Sequence, residues 1–583
     1  MDILGVLGLG KNPGACLLRG GQLVACAEEE RFNREKLSMG RWPVGAVRYC
    51  LEAGDLSLDE VDRVAIAWGL QKYPAEMQDF FTGLESTYPK KGVAFRATER
   101  GILERLSPES YISGLTNALS AARLGRLDRD RVDYFDHHAC HAAMSYHSSG
   151  FGEALVFVID GSGEDEATTV WRGRDGELAK LEQFKLPHSL GRAYATMTEY
   201  LGFRAYTDEG KVMGLAPYGE HDPEIVAKLS RLLSVAEDGT YVVDPDFIHY
   251  GAHTHNPRFT DELVDLLGAP RVPKQRNEPI DQRYKNVAFA IQHLLEKAVT
   301  GLVRRHVADT GVRRVALCGG VAMNCKMNGL VARMPEVEDL FVHPASHDGG
   351  APIGAAMLCA RGQEPELGFR ALDDAYYGPS YSDEYIENLL DYAKLPFEKH
   401  DSPAEVVATA LAEGQVVALF QGRMEMGARA LGNRSILANP LLPDTKALLN
   451  DQIKHREDWR PFCPSILAED AERYFGKVPN PWYMLVAVAV DEDKAGEIPS
   501  AVHVDGTARP QFVTRDSNPL FWEIISRFRD RTGVPVVINT SFNVMGEPVI
   551  NKPEEAVRCF YSTGIDMLVM QRYVLRKPQR DGG

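Results

Sequence analysis

The sequence predicts an α/β protein of more than one domain, and three observations predict it. Apolar runs such as ALVFVID (154–160) and VALC (315–318) are hydrophobic almost throughout, as strands covered on both faces are, and each runs into a glycine turn. Helical patterns alternate with such runs, at 43–59, 284–306 and 350–361. At 583 residues the chain exceeds what one hydrophobic core supports, so two or three domains are expected.

Taken in order, DILGVLGL (2–9) reads as a strand followed by the small-residue turn GKNPG. Two apolar runs joined around Gly20-Gly21 give a hairpin signal. A helix over 43–59 ends at Gly54, and VDRVAIAW (61–68) is a buried strand. The stretch 71–125 is less periodic and decorates the core, and strand-like RVDYFD (131–136) feeds the stretch FDHHACHAAM (135–144). Loop-rich 240–282 precedes the helix at 284–306, which delivers the chain into RRVALCGGVAMN. The helix at 350–361 is rich in small residues and therefore closely packed. Polar, Gly- and Pro-containing 362–380 is the expected boundary. A second α/β pattern follows it: helices at 383–392 and 402–413, then strands at QVVALFQGR (415–423), YMLVAVAV (483–490) and VPVVI (534–538).

Composition is that of a globular protein, 44% hydrophobic and 25% charged. A formal net charge of −17 argues against a general nucleic-acid binder, which needs a positive field, but leaves room for phosphorylated small molecules held by a local cluster. The nine cysteines form no CxxC pair, and several sit in apolar runs, which points to a reducing compartment. The start MDILGVLGLG has no basic lead or cleavage pattern, and no apolar stretch is long enough to span a membrane. The expectation is a cytoplasmic protein without nucleic-acid or membrane partners, its oligomeric state open.

Several stretches carry chemical meaning. His137 and His141 are four apart, so a helix would stack their imidazoles on one side, while His138 points elsewhere. Asp160 and Asp348 end strands beside glycines, where α/β proteins bind ligands. Two imidazoles and two carboxylates suit Fe²⁺, Mn²⁺ or Zn²⁺; the same residues equally suit helix caps and loop hydrogen bonds, and His343 and His347 show how common the spacing is. Gly161 and Gly163 in DGSGE, and Gly319 and Gly320 before Asn324 in LCGGVAMN, form turns whose amides can hold phosphate or ribose groups. GKNPGA (10–15) is a third such loop. Glu209 and Lys211, in DEGKVMGLAPYG, mark either a nucleotide contact or a solvated turn. In the C-terminal half, Arg423, Arg429, Arg434, Lys454, Arg456 and Arg460 concentrate positive charge around glycines and prolines, a pattern for neutralising an anion. His503, Arg509, Ser541 and Asn543 join them from HVDGTARPQ and NTSFNVMGEP.

These residues carry a resemblance. AEEERFNREK (27–36), HHACHAA, DGSGE, EGKVMGLAPYG, CGGVAMN, GRMEMGARALGNRSILANP (422–440), KHREDWRPFCP and NTSFNVMGEP, in this order over nearly the whole chain, resemble the O-carbamoyltransferases grouped with the nodulation protein NodU and the antibiotic-tailoring enzymes of CmcH type. The resemblance implies an N-terminal actin/sugar-kinase-like (Kae1-like) ATPase fold over 1–368 and a C-terminal YrdC-like α/β domain over 375–583. It implies that carbamoyladenylate is made from carbamoyl phosphate and ATP, with Mg²⁺ on the nucleotide, and that the carbamoyl group then passes to a hydroxyl of a small natural-product acceptor, as in antibiotic biosynthesis. His137, His141, Asp160 and Asp348 match the family's metal positions, typically holding iron. KHR (454–456) and SFN (541–543) resemble the KxR and SxN signatures of YrdC-type domains, so Lys454, Arg456, Ser541 and Asn543 would bind triphosphate or carbamoyl phosphate. Arg423, Arg460 and His503 are the further catalytic candidates; Arg429 and Arg509 are expected on phosphate. Where family members commonly carry a His-Asp pair, this chain has Asn12-Pro13, a departure that touches the acceptor side.

Two other readings meet features of the sequence. A simple ATPase or nucleotide-binding scaffold needs one phosphate site, whereas candidate sites here lie in both halves. Threonylcarbamoyl transfer to transfer RNA uses both domain types, but the charge of −17 and the lack of a basic stripe argue against it.

Overall fold

The computed structural model describes residues 1–87, 106–249, 257–275 and 277–577. Parts of the stretches 71–125 and 240–282 lie outside the described residues. The chain divides into two compact units, Met1–Glu29 with Leu37–Leu372, and Glu30–Lys36 with Asp373–Gly583. Glu30–Lys36, inside the stretch 1–368, groups with the second unit. The cause is a set of guanidinium bonds, buried at Arg31 and half-buried at Arg34. Arg31 Nη2 donates to the Gly427 carbonyl at 2.8 Å, and Arg34 donates to the carbonyls of Val549 at 2.6 Å and Pro548 at 3.0 Å.

In the first unit, β1 (Asp2–Leu7), β2 (Gly14–Arg19), β3 (Gln22–Glu28), β4 (Arg63–Ile66) and β5 (Val132–Tyr134) form a sheet of order β3-β2-β1-β4-β5. A second sheet uses β6 (Glu153–Ile159), β7 (Glu166–Arg174) and β8 (Glu177–Lys185). After a short ribbon of β9 (Leu233–Val235) and β10 (Tyr241–Val243), β11 (Arg314–Cys318) and β12 (Asp339–Val342) complete it in the order β12-β11-β6-β7-β8. The two sheets repeat one design. The first strand of each pairs antiparallel with the strand that follows it and parallel with the later ones. The expected hairpin at Gly20-Gly21 is the β2–β3 turn, both glycines at positive φ.

Two helices pack on these sheets. His137–Ser149 follows β5 and lies against β6 and β11; Ala351–Gln363 follows β12 and lies against β1 and β2. They cross at the closest approach the backbone permits, since a Cβ on Gly354 would stand 1.7 Å from the Cys140 carbonyl oxygen. Gly5 plays the same part beneath the helix, where a Cβ would meet the Pro352 carbonyl at 2.1 Å. The small residues of this helix are therefore a packing requirement. The helix predicted at 284–306 runs over Gln282–Thr310, capped at its start by the Asp281 side chain and closed by Gly311 in the left-handed conformation.

The second unit is built on one mixed eight-stranded sheet. Its strands are β13 (Glu398–Lys399), β14 (Val417–Phe420), β15 (Arg434–Ala438), β16 (Cys463–Leu467), β19 (Gln511–Val513), β20 (Val536–Ser541), β21 (Met567–Met570) and β22 (Tyr573–Arg576); β17 (Val488–Ala489) and β18 (Thr507–Ala508) pair separately. The order is β13-β22-β21-β14-β15-β20-β16-β19. Helices Ala404–Ala412 and Pro519–Thr532 bury Val407, Leu411, Phe521, Ile524 and Phe528 in one apolar cluster with strand residues Leu419, Leu437 and Val537. The strand expected over 483–490 is realised only at Val488–Ala489. Positive φ at Asn480 and Met484 turns the backbone, so 483–487 is buried without joining a ladder. No helix among the described residues is long and apolar enough to cross a membrane.

Candidate metal centre and anion site

The first site is assembled at the C-terminal edges of the sheets. Helix His137–Ser149 starts at the histidine stretch, which places His137 and His141 one turn apart, both fully buried. Strand β6 ends at Ile159, and the amides of Gly161 (2.7 Å) and Gly320 (3.1 Å) both donate to Asp160 Oδ1. That leaves Oδ2 facing the imidazoles, 3.6 Å from His137 Nε2 and 3.8 Å from His141 Nε2. Asp348 Oδ1 lies 3.9 Å from His137 Nε2, and the two Nε2 atoms are 3.2 Å apart. One ligand atom from each of the four residues lies within 4.8 Å of all the others.

The surroundings fix the rings. His137 Nδ1 lies 3.1 Å from the Ala67 carbonyl, which can only accept, so Nδ1 carries a proton and Nε2 is the atom turned to the cluster. Trp68 stacks on the same ring at 4.5 Å and 17°. Glu164 accepts from the amides of Gly69 (2.7 Å) and His137 (3.2 Å), a carboxylate at the helix start. Burial pushes its pKa up. Neither Trp68 nor Glu164 was singled out by spacing; Glu164 closes the DGSGE motif, which was the available signal. His138, whose Nδ1 meets Thr169 Oγ1 at 3.1 Å, is held neutral because burial pulls its pKa down to about 3.

Electrostatics mark the four residues as a unit. Burial would lower the His137 pKa, but the hydrogen bond to Asp160 and the charges of Asp348 and Asp160 raise it to about 9. His141 is pushed well down by burial and by His137. The Asp348 carboxyl is pushed up by burial and by Asp160; Asp160 resists its burial through His137 and His141 and stays low. Two convergent imidazole nitrogens and two carboxylates fit a divalent Fe, Mn or Zn ion.

The other residues expected near this site are placed as follows. Gly163 and Gly319 spend their amides on the carbonyls of Glu166 and Ser346, each at 2.8 Å, so with Gly161 and Gly320 all four glycine amides are engaged within the chain. Asn324 caps helix Cys325–Ala332 through Met327 N at 3.1 Å and exchanges amide bonds with Gln292. Glu209 opens a short helix and accepts from the Tyr206 amide. Burial raises its pKa. Lys211 lies 3.4 Å from Asp208.

The second unit gathers the basic residues. Lys454 is buried, and its ammonium donates to Asn543 Oδ1 at 2.9 Å, the Asn543 carbonyl at 3.0 Å, Ser541 Oγ at 3.3 Å and the Ser541 carbonyl. Ser541 Oγ donates to Asn543 Oδ1 at 2.7 Å, so the two motifs, far apart in sequence, form one network. Arg456 is oriented by Asn450 Oδ1 at 2.7 Å and lies 4.5 Å over the Phe462 ring. Burial, then neighbouring Arg456 and Arg460, pushes the Lys454 pKa well down; burial and Arg460 do the same to Arg456. Arg509 turns its fork on the Cys463 sulfur, Nε at 3.1 Å and Nη2 at 2.8 Å. Arg460 pairs with Glu457 at 3.7 Å, and Arg429 is half-buried in the glycine-rich loop before β15. Arg423 donates to the carbonyls of Tyr377 (2.9 Å) and Gly378 (3.3 Å), and His503 sits in the tight turn closed by its own amide on Thr507. Arg434 is fully buried, stacked 3.8 Å over Phe420 and bonded to backbone carbonyls, a structural role.

Comparison with known proteins gives the family. The carbamoyltransferase N-terminus model matches residues 2–357 and the carbamoyltransferase C-terminus model matches 408–577. The nodulation protein NolNO of Sinorhizobium fredii is 35% identical over 97% of this chain and 78% of its own. NolO of Bradyrhizobium diazoefficiens is 37% identical over 76% and 79%, and the nodulation protein U of Sinorhizobium fredii 28% over 92% and 93%. Among solved structures, HypF of T. kodakarensis is 14% identical over 63% of this chain and 48% of that one, with a TM-score of 0.32, too loose a likeness to carry weight. With both models matched and relatives aligned along most of their length, the chain belongs to the NodU-type carbamoyltransferase family and is a carbamoyltransferase.

Proposed function

We propose that the protein is an ATP-dependent O-carbamoyltransferase that makes carbamoyladenylate from carbamoyl phosphate and ATP and passes the carbamoyl group to a hydroxyl of a small acceptor. The observation that carries this reading is the Lys454 ammonium held by both Ser541 and Asn543 beside Arg456, a cation site separate from the carboxylate–imidazole cluster of the first unit. A YrdC-like adenylation role for the second unit and an actin/sugar-kinase-like role for the first, with its repeated sheet order, fit this division.

In the adenylation step, carbamoyl phosphate gives up inorganic phosphate to water, and an oxygen of the resulting carbamate bonds to the α-phosphorus of ATP as pyrophosphate leaves. Negative charge moves along phosphoryl oxygens throughout. Lys454 and Arg456 are fixed donors for it, already desolvated and oriented before substrate arrives, with the partly exposed Arg460 beside them. Arg509 can exchange its sulfur contact for an oxyanion. In the transfer step, the acceptor oxygen bonds to the carbamoyl carbon, the bond to the AMP phosphate breaks, and the hydroxyl proton leaves to a base. His137, His141, Asp160 and Asp348 would hold a divalent iron ion, which when bound supplies Lewis-acid charge to phosphate oxygens. Ala67, Trp68, Glu164, Gly161 and Gly320 set the orientation of those side chains.

Pyrophosphate release from purified protein tests the proposal, with ATP and carbamoyl phosphate omitted in turn and with iron removed and restored. Pyrophosphate that depends on carbamoyl phosphate is the expected result. ADP formation indifferent to carbamoyl phosphate would instead identify a simple ATPase.

A further inference from the structure

We infer that Cys463 is a positioning residue of the anion site in the second unit: its sulfur holds the bidentate edge of Arg509 and yields it to an arriving phosphate. The inference rests on the transferase reading above and adds a residue that sets how tightly the phosphate is held.

The strands bring the pair together. β16 begins at Cys463, which stands opposite Asn539 in the antiparallel ladder with β20. β20 ends two residues further on at Ser541, whose hydroxyl accepts from the Lys454 ammonium. On its other edge β16 runs parallel with β19, Ser465 beside Gln511, and Arg509 comes two residues before Gln511. Opposite residues and residues two apart share a face of a sheet, so Cys463, Ser465, Asn539 and Gln511 point the same way. Buried hydrogen bonds confirm it: Asn539 Nδ2 donates to Ser465 Oγ at 3.0 Å and to Gln511 Oε1 at 3.1 Å. At the start of that face Cys463 is buried, and Arg509 donates to its Sγ twice, from Nε at 3.1 Å and from Nη2 at 2.8 Å. Arg456 borders the same sulfur. Its Nη2 donates to the Pro461 carbonyl at 3.2 Å and its guanidinium lies over Phe462, the residue before Cys463. Arg509 lowers the Arg456 pKa and Cys463 raises it, so the three groups are electrostatic neighbours.

Nε and one terminal nitrogen form the edge with which arginine grips a carboxylate or phosphate through two parallel bonds. Here that edge is already engaged, and by a thiol sulfur, a weak acceptor. Two N–H···S bonds fix the plane of a guanidinium that otherwise carries the rotamer freedom of a long side chain. They are weak enough to be exchanged for charge-assisted bonds to phosphate oxygens. A carboxylate in place of the sulfur would fix the plane but compete with the phosphate, and a methyl group would not fix it.

Pyrophosphate is the probe. Metal-loaded, full-length protein is titrated with it calorimetrically as wild type, Cys463→Ala, Cys463→Ser, Arg509→Met and the Cys463→Ala/Arg509→Met double variant, with thermal unfolding of each recorded. The binding that Lys454→Met removes identifies the second-unit site. There Cys463→Ala should weaken binding about tenfold. Cys463→Ser, whose hydroxyl accepts the same two bonds, should restore most of the affinity. In the Arg509→Met background the Cys463→Ala change should add nothing, because the group it acts through is gone. A cysteine that only packs would weaken binding by the same factor in both backgrounds, and that result overturns the inference. So does undiminished binding in Cys463→Ala, a Cys463→Ser variant as weak as Cys463→Ala, or a wild type that binds no pyrophosphate at this site. Carbamoyl-phosphate-dependent pyrophosphate release is assayed separately; its absence with the binding pattern intact would refute the transferase reading and leave the Cys463–Arg509 pair as an anion clamp.

Discussion

Metal binding to the four-residue cluster should release a proton, and the structure says which one. In the metal-free cluster His137 keeps a proton up to about pH 9, because Asp160 and Asp348 outweigh the burial that would otherwise remove it. An incoming divalent ion needs the His137 Nε2 lone pair and must displace that proton, so affinity falls as pH falls below about 9. One proton per ion corresponds to about 1.4 kcal/mol, or about tenfold, per pH unit. From a pH of about 7 to the His137 pKa of about 9, affinity should therefore rise about a hundredfold and then level off. Towards acid the slope should steepen, since the Asp348 pKa is also raised; Asp160, held low, adds nothing. The assay is chelator competition with Zn²⁺ across this range, with proton release counted by calorimetry in buffers of different ionisation enthalpy. His137→Gln should weaken binding and flatten the alkaline half of the curve. Affinity independent of pH over that interval, or a slope that survives in His137→Gln, would refute the reasoning.

The remaining predictions concern the second unit and the packing that supports the first. Lys454→Met should cut carbamoyl-phosphate-dependent pyrophosphate release by about a hundredfold to a thousandfold, read as labelled pyrophosphate separated from inorganic phosphate by chromatography. Ser541→Ala, which leaves Asn543 on the ammonium, should cost about tenfold in the same assay. Gly354→Ala should force the two helices apart at Cys140 and cost about 1–3 kcal/mol or more, with metal capacity lost alongside thermal stability because those helices carry or follow the ligands. Arg434→Met removes the guanidinium donor from the carbonyls of Gln421 and Gly422, while those of Asn433 and Pro379 keep the amides of Gln421 and Met424, and should destabilise the second unit by about 1–3 kcal/mol, measured by denaturant unfolding.

Element positions were largely legible because strands and helices here obey their periodicities. The exceptions are instructive. YMLVAVAV is as apolar as any strand in the chain, yet the positive φ at Met484 breaks it, and no local pattern announces that turn. The Glu30–Lys36 excursion depends on Arg31 and Arg34 finding carbonyls hundreds of residues away, a pairing invisible to windowed reading. Within the candidate site, spacing offered His343 and His347 on the same terms as His137 and His141. The structure separates the pairs by local hydrogen bonding. His343 and His347 each spend Nδ1 on a turn amide two residues on, Ala345 at 3.1 Å and Gly349 at 3.0 Å. His137 and His141 stand one turn apart on a helix, with Nδ1 of His137 on the Ala67 carbonyl, and their Nε2 atoms converge at 3.2 Å.

The glycine loops carry a related lesson about what a turn after a strand is for. Read alone, Gly161 and Gly320 offer amides to a phosphate; in the structure both amides hold one oxygen of Asp160 and aim the other at two imidazoles. The first unit therefore gathers two carboxylates around two imidazoles, balanced in the metal-free cluster by the His137 proton. The second unit does the reverse. Lys454 and Arg456 are stripped of water and given carbonyls, hydroxyls and amide oxygens in place of a carboxylate, so both pKa values are pushed down. In the proposed function, an arriving phosphate would supply the missing negative charge. A polyanion bound there, as proposed, would relieve that desolvation, and a local cluster of this kind needs no basic surface in a chain of net charge −17.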